Sequence, residues 1–421
     1  MSQPERPITI RTGIEAEPPE LSVVRSAPAV GWGLLVVAFL AFVSLGLPDA
    51  VLGVAWPTMR VSLGREIYFL GVVLASGSAG YVLSSFSAGA LAKRLGVGTV
   101  LLVSTLLATA GLVGYAVTPV FIGVCASAFL VGVGSGAIDA CLNAFVAARL
   151  PPRYMSWLHG FYGVGATIGP ALMTWAVMGG MGGGAGSGWR AGYAMLAGFL
   201  GGMSVVFLAT RRAWEVGGGP GGVAVEAPAR LGETLRVPRV WLQLTLFFLY
   251  CGIEVTAGQW LFSLLSEGRG RTGTLSGMTV TAYWAMFTAG RFVLGALTLR
   301  IPQRRILRWS MCSTPVVAAL LWVGAHPWMD FAAAGLFGFA IAPLYPMLMS
   351  ETADRVGRRH ASHAIGMQVS AAVLGISVWP LLAGILASAY GLETVPVFLV
   401  GLCVAMVVLH EVGGTGDAER R

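Results

Sequence analysis

The sequence predicts an all-α integral membrane protein of about twelve transmembrane helices, arranged as two similar six-helix bundles. Three observations carry this reading. Of 421 residues, 11% are charged and 56% are hydrophobic, where a soluble domain carries roughly 25% charged residues. Apolar runs long enough to cross a bilayer follow one another almost end to end, and the two halves of the chain match at a constant offset. With a mean hydropathy of +0.76, polar residues are too few to enclose a core of this size in water, so lipid must cover the rest.

A hydrocarbon layer of ~30 Å needs about 20 helical residues per crossing. Runs of that kind occupy 30–59, 67–92, 99–117, 120–148, 157–178 and 189–210, and then 240–266, 275–299, 306–325, 328–350, 361–389 and 392–411. Residues 1–29 carry Glu5, Glu15, Glu17, Glu20 and several prolines, which is neither a signal-peptide core nor a helix pattern. They read as a disordered cytoplasmic tail. Residues 30–210 make the N-terminal bundle. The stretch 211–239 turns polar and Gly/Pro-rich, with Arg211, Arg212, Glu215, Glu226, Arg230, Glu233, Arg236 and Arg239, and reads as a cytoplasmic linker. The C-terminal bundle is 240–411, followed by a tail at 412–421.

Orientation follows from the basic residues. One set of alternate loops holds sixteen: Lys93, Arg94, Arg149, Arg153, the five linker arginines, Arg300, Arg304, Arg305, Arg308, Arg355, Arg358 and Arg359. The opposite set holds five, Arg60, Arg65, Arg190, Arg269 and Arg271. Both termini are therefore expected in the cytoplasm, in a multi-pass protein of the cell membrane.

The halves match at an offset of 206 residues: Gly71 with Gly277, Gly89-Ala90-Leu91 with Gly295-Ala296-Leu297, Arg94 with Arg300, Gly132 with Gly338, Gly160 with Gly366, and Gly169 with Gly375. A parallel repeat of six plus six helices is the plan of the major facilitator transporters.

Other classes fall away. A net charge of +8 and a pI near 9.6 could suit nucleic acid, but the basic residues form short clusters between apolar runs rather than one stripe. Cys125, Cys141, Cys251, Cys312 and Cys403 stand singly in apolar segments without metal-ligand spacing. Nothing resembles a nucleotide-binding cassette, so an ion gradient is the expected energy source, and no cofactor or metal is called for. The glycines of 179–188 resemble a phosphate loop only in spacing, since they follow a membrane helix, and read as a flexible loop. Ser76, Gly80, Ser84, Ala88 and Ala92 form a small-residue ladder suited to helix packing.

A family resemblance is carried by particular residues. Gly89-Ala90-Leu91-Ala92-Lys93-Arg94-Leu95-Gly96 resembles the major facilitator loop signature, with Lys93 where that signature usually has an aspartate. Gly46-Leu47-Pro48-Asp49 with Trp56-Pro57 resembles the fucose permease branch of proton-coupled sugar symporters. So do Gly134-x-Gly136-x-x-Asp139-x-x-x-Asn143, Trp157-Leu158-His159-Gly160, Gly258-x-Trp260-Leu261-Phe262, Tyr283-Trp284 with Gly290-Arg291, Pro343-x-x-Pro346 and His360-x-x-His363. The resemblance implies the major facilitator fold, alternating access about a central site, and coupling of sugar and proton movement by acidic residues in helices 1 and 4, where Asp49 and Asp139 stand.

An ionisable group at a helix centre in lipid costs ~2.5 kcal/mol or more, so each one present is a functional candidate. Four stand out: Asp49, Asp139, Glu254 and Arg291. Pro48 loosens the helix before Asp49, whose carboxylate can face a cavity and exchange protons, or else satisfy backbone freed by the proline. Asp139 and Asn143, four apart, share a helix face. Asn143 can offer a substrate hydroxyl both a donor and an acceptor. Glu254 is a third candidate for proton coupling, and Arg291 a charge partner or a gate: as an expected pair both would stay ionised, whereas an unpaired Glu254 would tend to be protonated. The candidate substrate contacts are Asn143, Gln259 and Gln368, with Trp56, Trp260, Trp284 and Tyr345 as aromatic platforms. Each aromatic also fits an interfacial anchor or core role. Trp284, Thr288 and Arg291 share a stripe. His159 and His363 begin helices near the cytoplasmic face, where a structural role is favoured over pH sensing.

The expected function is proton-coupled uptake of a sugar or similar small polar solute by a protein working as a monomer, with no enzymatic reaction. Asn143 is the only asparagine in the chain. A site so poor in amides also suits a proton-driven exporter of a drug-like or secondary metabolite. A non-transporting receptor is the third class, distinguished by binding without flux.

Overall fold

The computed structural model describes residues 31–150, 152–180, 187–214 and 229–418. The expected tail at 1–29 lies outside them, as do part of the linker (215–228), part of the loop at 179–188 and the last three residues. Among the described residues, twelve helices are long and apolar enough to cross a membrane.

The N-terminal half contains α1 (Trp32–Asp49), α2 (Leu52–Ser62), α3 (Phe69–Leu95), α4 (Val97–Val117), α5 (Phe121–Arg149), α6 (Pro152–Trp175) and α7 (Gly188–Thr210). A short α8 (Leu231–Thr234) precedes the C-terminal half, which contains α9 (Pro238–Ser263), α10 (Gly273–Leu297), α11 (Gln303–Val323), α12 (Pro327–Ile341), α13 (Leu344–Ser350), α14 (Thr352–Val356), α15 (Arg358–Tyr390) and α16 (Thr394–Ala418). Two expected spans are broken. The run at 30–59 becomes α1 and α2, and the run at 328–350 becomes α12 and α13, with the chain turning at Ala342 and Pro343. Both breaks adjoin a proline, which removes an amide donor and crowds the preceding turn.

The repeat seen in the sequence is a repeat of packing. Gly132 on α5 lets α3 approach so closely that a Cβ there would collide with the Gly77 carbonyl. At Gly338 on α12 the same collision would occur with the carbonyl of Tyr283 on α10. Gly77 and Tyr283 are themselves 206 apart. The ladder on α3 serves this crossing too, with Gly80 bare against the main chain of Phe129 and Val133 on α5. Close backbone approach through small residues is how helices associate where lipid removes the hydrophobic drive.

The halves meet along two seams. One, between α6 and α10, is closed over its whole length: Thr174 faces Gly277, Thr167 Oγ1 lies 3.4 Å from Thr288 Oγ1, and the Phe292 ring lies on Gly160. The other, between α3 and α15, is closed only on the side of the molecule opposite the chain termini, here called the far side. There Gly71 packs on Leu381, and Gly384 packs on Tyr68. Towards the termini it is open. Phe86, the repeat partner of Phe292, is 77% exposed, and Gly366, the repeat partner of Gly160, has no atom near enough to meet an added Cβ. The far side is also shut by α2 against α9, with Arg60 Nη2 bonded to Glu267 Oε1 at 2.8 Å. The bundle thus encloses a central space closed on the far side and open on the terminal side.

Within the C-terminal half, a buried ionic cluster braces the far side. Asp330 at the start of α12 accepts from Arg269 through Oδ1 and from Arg271 Nε through Oδ2 at 3.0 Å. Arg269 also donates to Glu393, at 2.7 and 2.8 Å, and to the Leu321 carbonyl at 2.8 Å.

Candidate substrate and proton site

The site begins at the break in the first span. Pro48 contributes no amide to the last turn of α1, the chain turns through Ala50 and Val51, and α2 restarts at Leu52. Asp49 therefore ends a helix in the middle of the bundle. Its main-chain carbonyl accepts Gln259 Nε2 from α9 at 2.8 Å. Its carboxylate is exposed to the central space and accepts the Tyr162 hydroxyl from α6 through Oδ2 at 2.9 Å.

Asp139 lies across from it on α5. Oδ2 accepts the Tyr81 hydroxyl from α3 at 2.6 Å, and Oδ1 accepts Asn143 Nδ2, one turn on, at 2.9 Å. Asn143 Oδ1 is buried without a partner. The amide expected to serve a substrate thus spends its donor on Asp139 and keeps its acceptor free. The two carboxylates lie in each other's field, each held by a tyrosine hydroxyl.

The C-terminal half supplies Tyr250, Glu254, Arg291 and Tyr345. The expected Glu254–Arg291 pair is not in contact: among the described residues no ion pair within 4.0 Å joins them. Arg291 instead lies over the Phe287 ring at 4.3 Å, with Nε buried and unpartnered. The charges remain close enough to interact, and Tyr250 lies close to both. Tyr345 packs on Phe247 and Tyr250, with ring centroids 5.1 and 6.1 Å apart. Across the halves, Tyr345 senses Asp139, and Tyr162 senses Glu254 and Arg291. These groups line one space.

Several expected contacts have other work. Trp56 is fully buried with Nε1 donating to the Ile67 carbonyl at 2.8 Å, and Trp260 with Nε1 donating to the Pro380 carbonyl at 3.0 Å. Both indoles are built into the far-side packing, where their hydrogen bonds are already spent. Gln368 is also fully buried, in a chain with Thr352 at 2.9 Å and Gln243 at 3.3 Å. The stripe of Trp284, Thr288 and Arg291 divides: Thr288 faces α6 at the closed seam, and Trp284 covers bare backbone at Gly258 with Nε1 buried and unpartnered. His159 packs edge-on against Phe42, with ring centroids 5.5 Å apart.

Tyr81, Tyr162 and Tyr250 escaped sequence reasoning. Their signal was a hydroxyl placed mid-span, since a buried tyrosine needs a partner for its polar end.

Because Glu254 and Arg291 interact through space, removing either should leave the other less well balanced, while removing both should not add the two losses. In a double-mutant cycle of Glu254→Gln and Arg291→Ala, we expect a coupling of about 0.5–3 kcal/mol in thermal or denaturant unfolding of the purified protein. Additive losses would show that the two charges act separately.

Comparison with known proteins agrees with this architecture. The family model for the Major Facilitator Superfamily matches residues 34–314 and 264–412. The chain belongs to the Major Facilitator Superfamily. As a member of the Major Facilitator Superfamily it is a multi-pass membrane transporter rather than an enzyme, with the twelve-helix fold expected from the sequence. Among curated relatives it is 25% identical over 414 residues to Bypass of stop codon protein 6 of Saccharomyces cerevisiae, covering 89% of this chain and 80% of that one. It is 23% identical over 295 residues to the Glucose/mannose transporter GlcP of Bacillus subtilis, covering 66% and 70%. Among solved structures, a bacterial homolog to the human lysosomal transporter Spinster, in an inward-facing and occupied conformation, matches with a TM-score of 0.74 at 12% identity, over 91% of this chain and 96% of that one. The Major Facilitator Superfamily transporter FucP, in the outward conformation, matches with a TM-score of 0.63 at 15% identity, over 90% and 98%.

Proposed function

We propose that this transporter carries a sugar or similar small polar solute together with protons, by alternating access, with Asp49 and Asp139 as the proton-carrying groups. The observation that carries this reading is the pair of carboxylates facing one central space between the halves, each held by a tyrosine hydroxyl. Unspent polar atoms lie buried in the surrounding helices. Asn143 Oδ1 and Gln259 Oε1 accept, while Arg291 Nε and Trp284 Nε1 donate. A polyhydroxylated solute can answer both kinds. A buried polar atom left unpaired costs about 1–3 kcal/mol, so such a solute would relieve several penalties at once. The relative named as a glucose/mannose transporter lends the sugar reading further support.

In this scheme Asp49, Asp139, Asn143, Gln259, Trp284 and Tyr345 line the path, with Glu254 and Arg291 as its charged pair. Carboxylates that must be neutral before the halves close over them tie movement to proton uptake. The sixteen-to-five distribution of basic residues supports a cytoplasmic position for both termini, with the open terminal side facing inward. Tags on either terminus should resist external protease in intact cells; cleavage of both from outside would reverse the orientation. The protein acts as a monomer in the cell membrane.

A second reading has its own observation. With Gln368 buried elsewhere, Asn143 and Gln259 are the remaining amides of the three candidates, and Tyr81, Tyr162 and Tyr345 stand beside the carboxylates. Such a surface suits an amphipathic solute moved outward. Purified protein in liposomes under an imposed inward proton gradient separates the two. Labelled D-glucose, D-mannose or L-fucose should accumulate above its external concentration and lose that accumulation when a protonophore is added. If no sugar accumulates and a labelled amphipathic cation is expelled instead, the exporter reading takes its place.

A further inference from the structure

Gln259 stands where the break in the first span meets the seam between the halves. Its Nε2 donates to the Asp49 carbonyl at 2.8 Å, a bond from one half to the other, and the residue is 2% exposed. That carbonyl ends α1, so the amide supplies a partner that a continued helix would otherwise give. One turn further on, Gly53 lies bare against the Gln259 main chain, where a Cβ would collide. Beyond it Arg60 is tied to Glu267. α2 is therefore fastened to α9 at Gly53 and to the segment just after α9 at Arg60, while only Ala50 and Val51 join it to α1.

We propose that Gln259 is a positioning residue for transport. Its side-chain amide holds the main chain of Asp49 from the opposite half while the far side is shut, and lets it go when the halves part there. The inference rests on the alternating-access reading above and adds to it the contact through which movement of one half reaches the carboxylate of the other. Parting of α9 from α2 leaves the Asp49 carbonyl unpartnered and frees α2 to swing about Ala50 and Val51, turning Asp49 toward the far side. Gln259 Oε1 is buried without a partner, so no second bond keeps the amide in place once the first is lost.

Two cysteine reporters test this in full-length protein in liposomes without substrate, with Cys125 and Cys312 replaced by serine. Ala387→Cys reports the far side: Ala387 is 6% exposed and lines the groove there with Arg60, Glu66 and Glu267. Ser370→Cys reports the terminal side, one turn beyond the open Gly366. Gln259→Leu, and Gln259→Met with its similar length, should raise maleimide labelling at the far-side reporter about three- to tenfold, as befits the loss of one hydrogen bond. The same changes should lower labelling at the terminal-side reporter. The rise should persist when Asp49→Asn is added, because the acceptor is main chain. Unchanged rates in a folded variant would overturn the proposal, as would a rise at both reporters, which marks general loosening. A rise abolished by Asp49→Asn would also overturn it, since Gln259 would then act through the carboxylate. Because no sugar takes part, failure of wild-type protein to carry sugar would sink the substrate reading without touching this result.

Discussion

Asparagine at Asp139 should abolish uphill accumulation while leaving substrate binding intact. The substitution keeps an oxygen for Tyr81, and it preserves the shape of the side chain. With the Asn143 amide turned so that its free Oδ1 accepts the new amide hydrogen, the change removes the ability to gain and lose a proton. Asp49→Asn should act in the same way, because Asn Oδ1 still accepts from Tyr162 and the main-chain carbonyl still accepts from Gln259. A permanently neutral residue mimics the protonated form alone, so this variant should exchange labelled for unlabelled solute across the membrane yet hold the ratio of inside to outside at about one. That is the full loss of the gradient-driven component. Counterflow and gradient-driven uptake, measured side by side in liposomes, make the comparison. Should both variants still accumulate solute with a normal pH dependence, neither carboxylate couples protons and the symport reading fails.

Asp330→Ala should destabilise the protein by about 3–5 kcal/mol, because it leaves charges buried without their counter-ion. The side chain of Asp330 is 2% exposed and that of Arg269 only 6%. Arg271 loses the same partner. Glu393, the other acid on Arg269, is 51% exposed, so Glu393→Ala should cost no more than about 0–1 kcal/mol. Unfolding midpoints of the two variants in detergent give the contrast. Equal midpoints would mean that the buried cluster does not brace the C-terminal half.

The number of spans and the pairing of the halves were legible because the bilayer imposes them: length, apolarity and charge placement leave few alternatives, and Gly132 with Gly338 recurs for the same steric reason in each half. Asp49 and Asp139 were legible because a carboxylate in lipid is costly without a use. Gln368 was not placed correctly, although its residue type fits a sugar. Its helix, α15, has polar neighbours on a side away from the cavity, and no periodicity tells which buried face meets Thr352 and Gln243. Trp56 and Trp260 misled for a related reason, since an indole suited to stacking on a ring is equally suited to donating to the buried carbonyls of Ile67 and Pro380. The tyrosines were missed because a phenol is apolar enough to pass as core until the carboxylate opposite it is known. Glu254 and Arg291 were expected to pair, but the guanidinium lies over Phe287, an arrangement set by α10 geometry that spacing does not fix.

The unequal seams carry a consequence for how this sequence can change over time. A Cβ added at Gly366 would meet no atom in the described conformation, so a larger residue there has room in this state. Its repeat partner Gly160 meets the tip of the Phe292 ring, and Phe86 is the repeat partner of that ring, so closure of the terminal side in the proposed cycle would bring Phe86 to Gly366. A substitution at Gly366 would then be harmless to folding and fatal to turnover. Natural selection would guard the residue for an encounter that a single resting shape never displays, and a survey of tolerated mutations scored by abundance alone would pass over it.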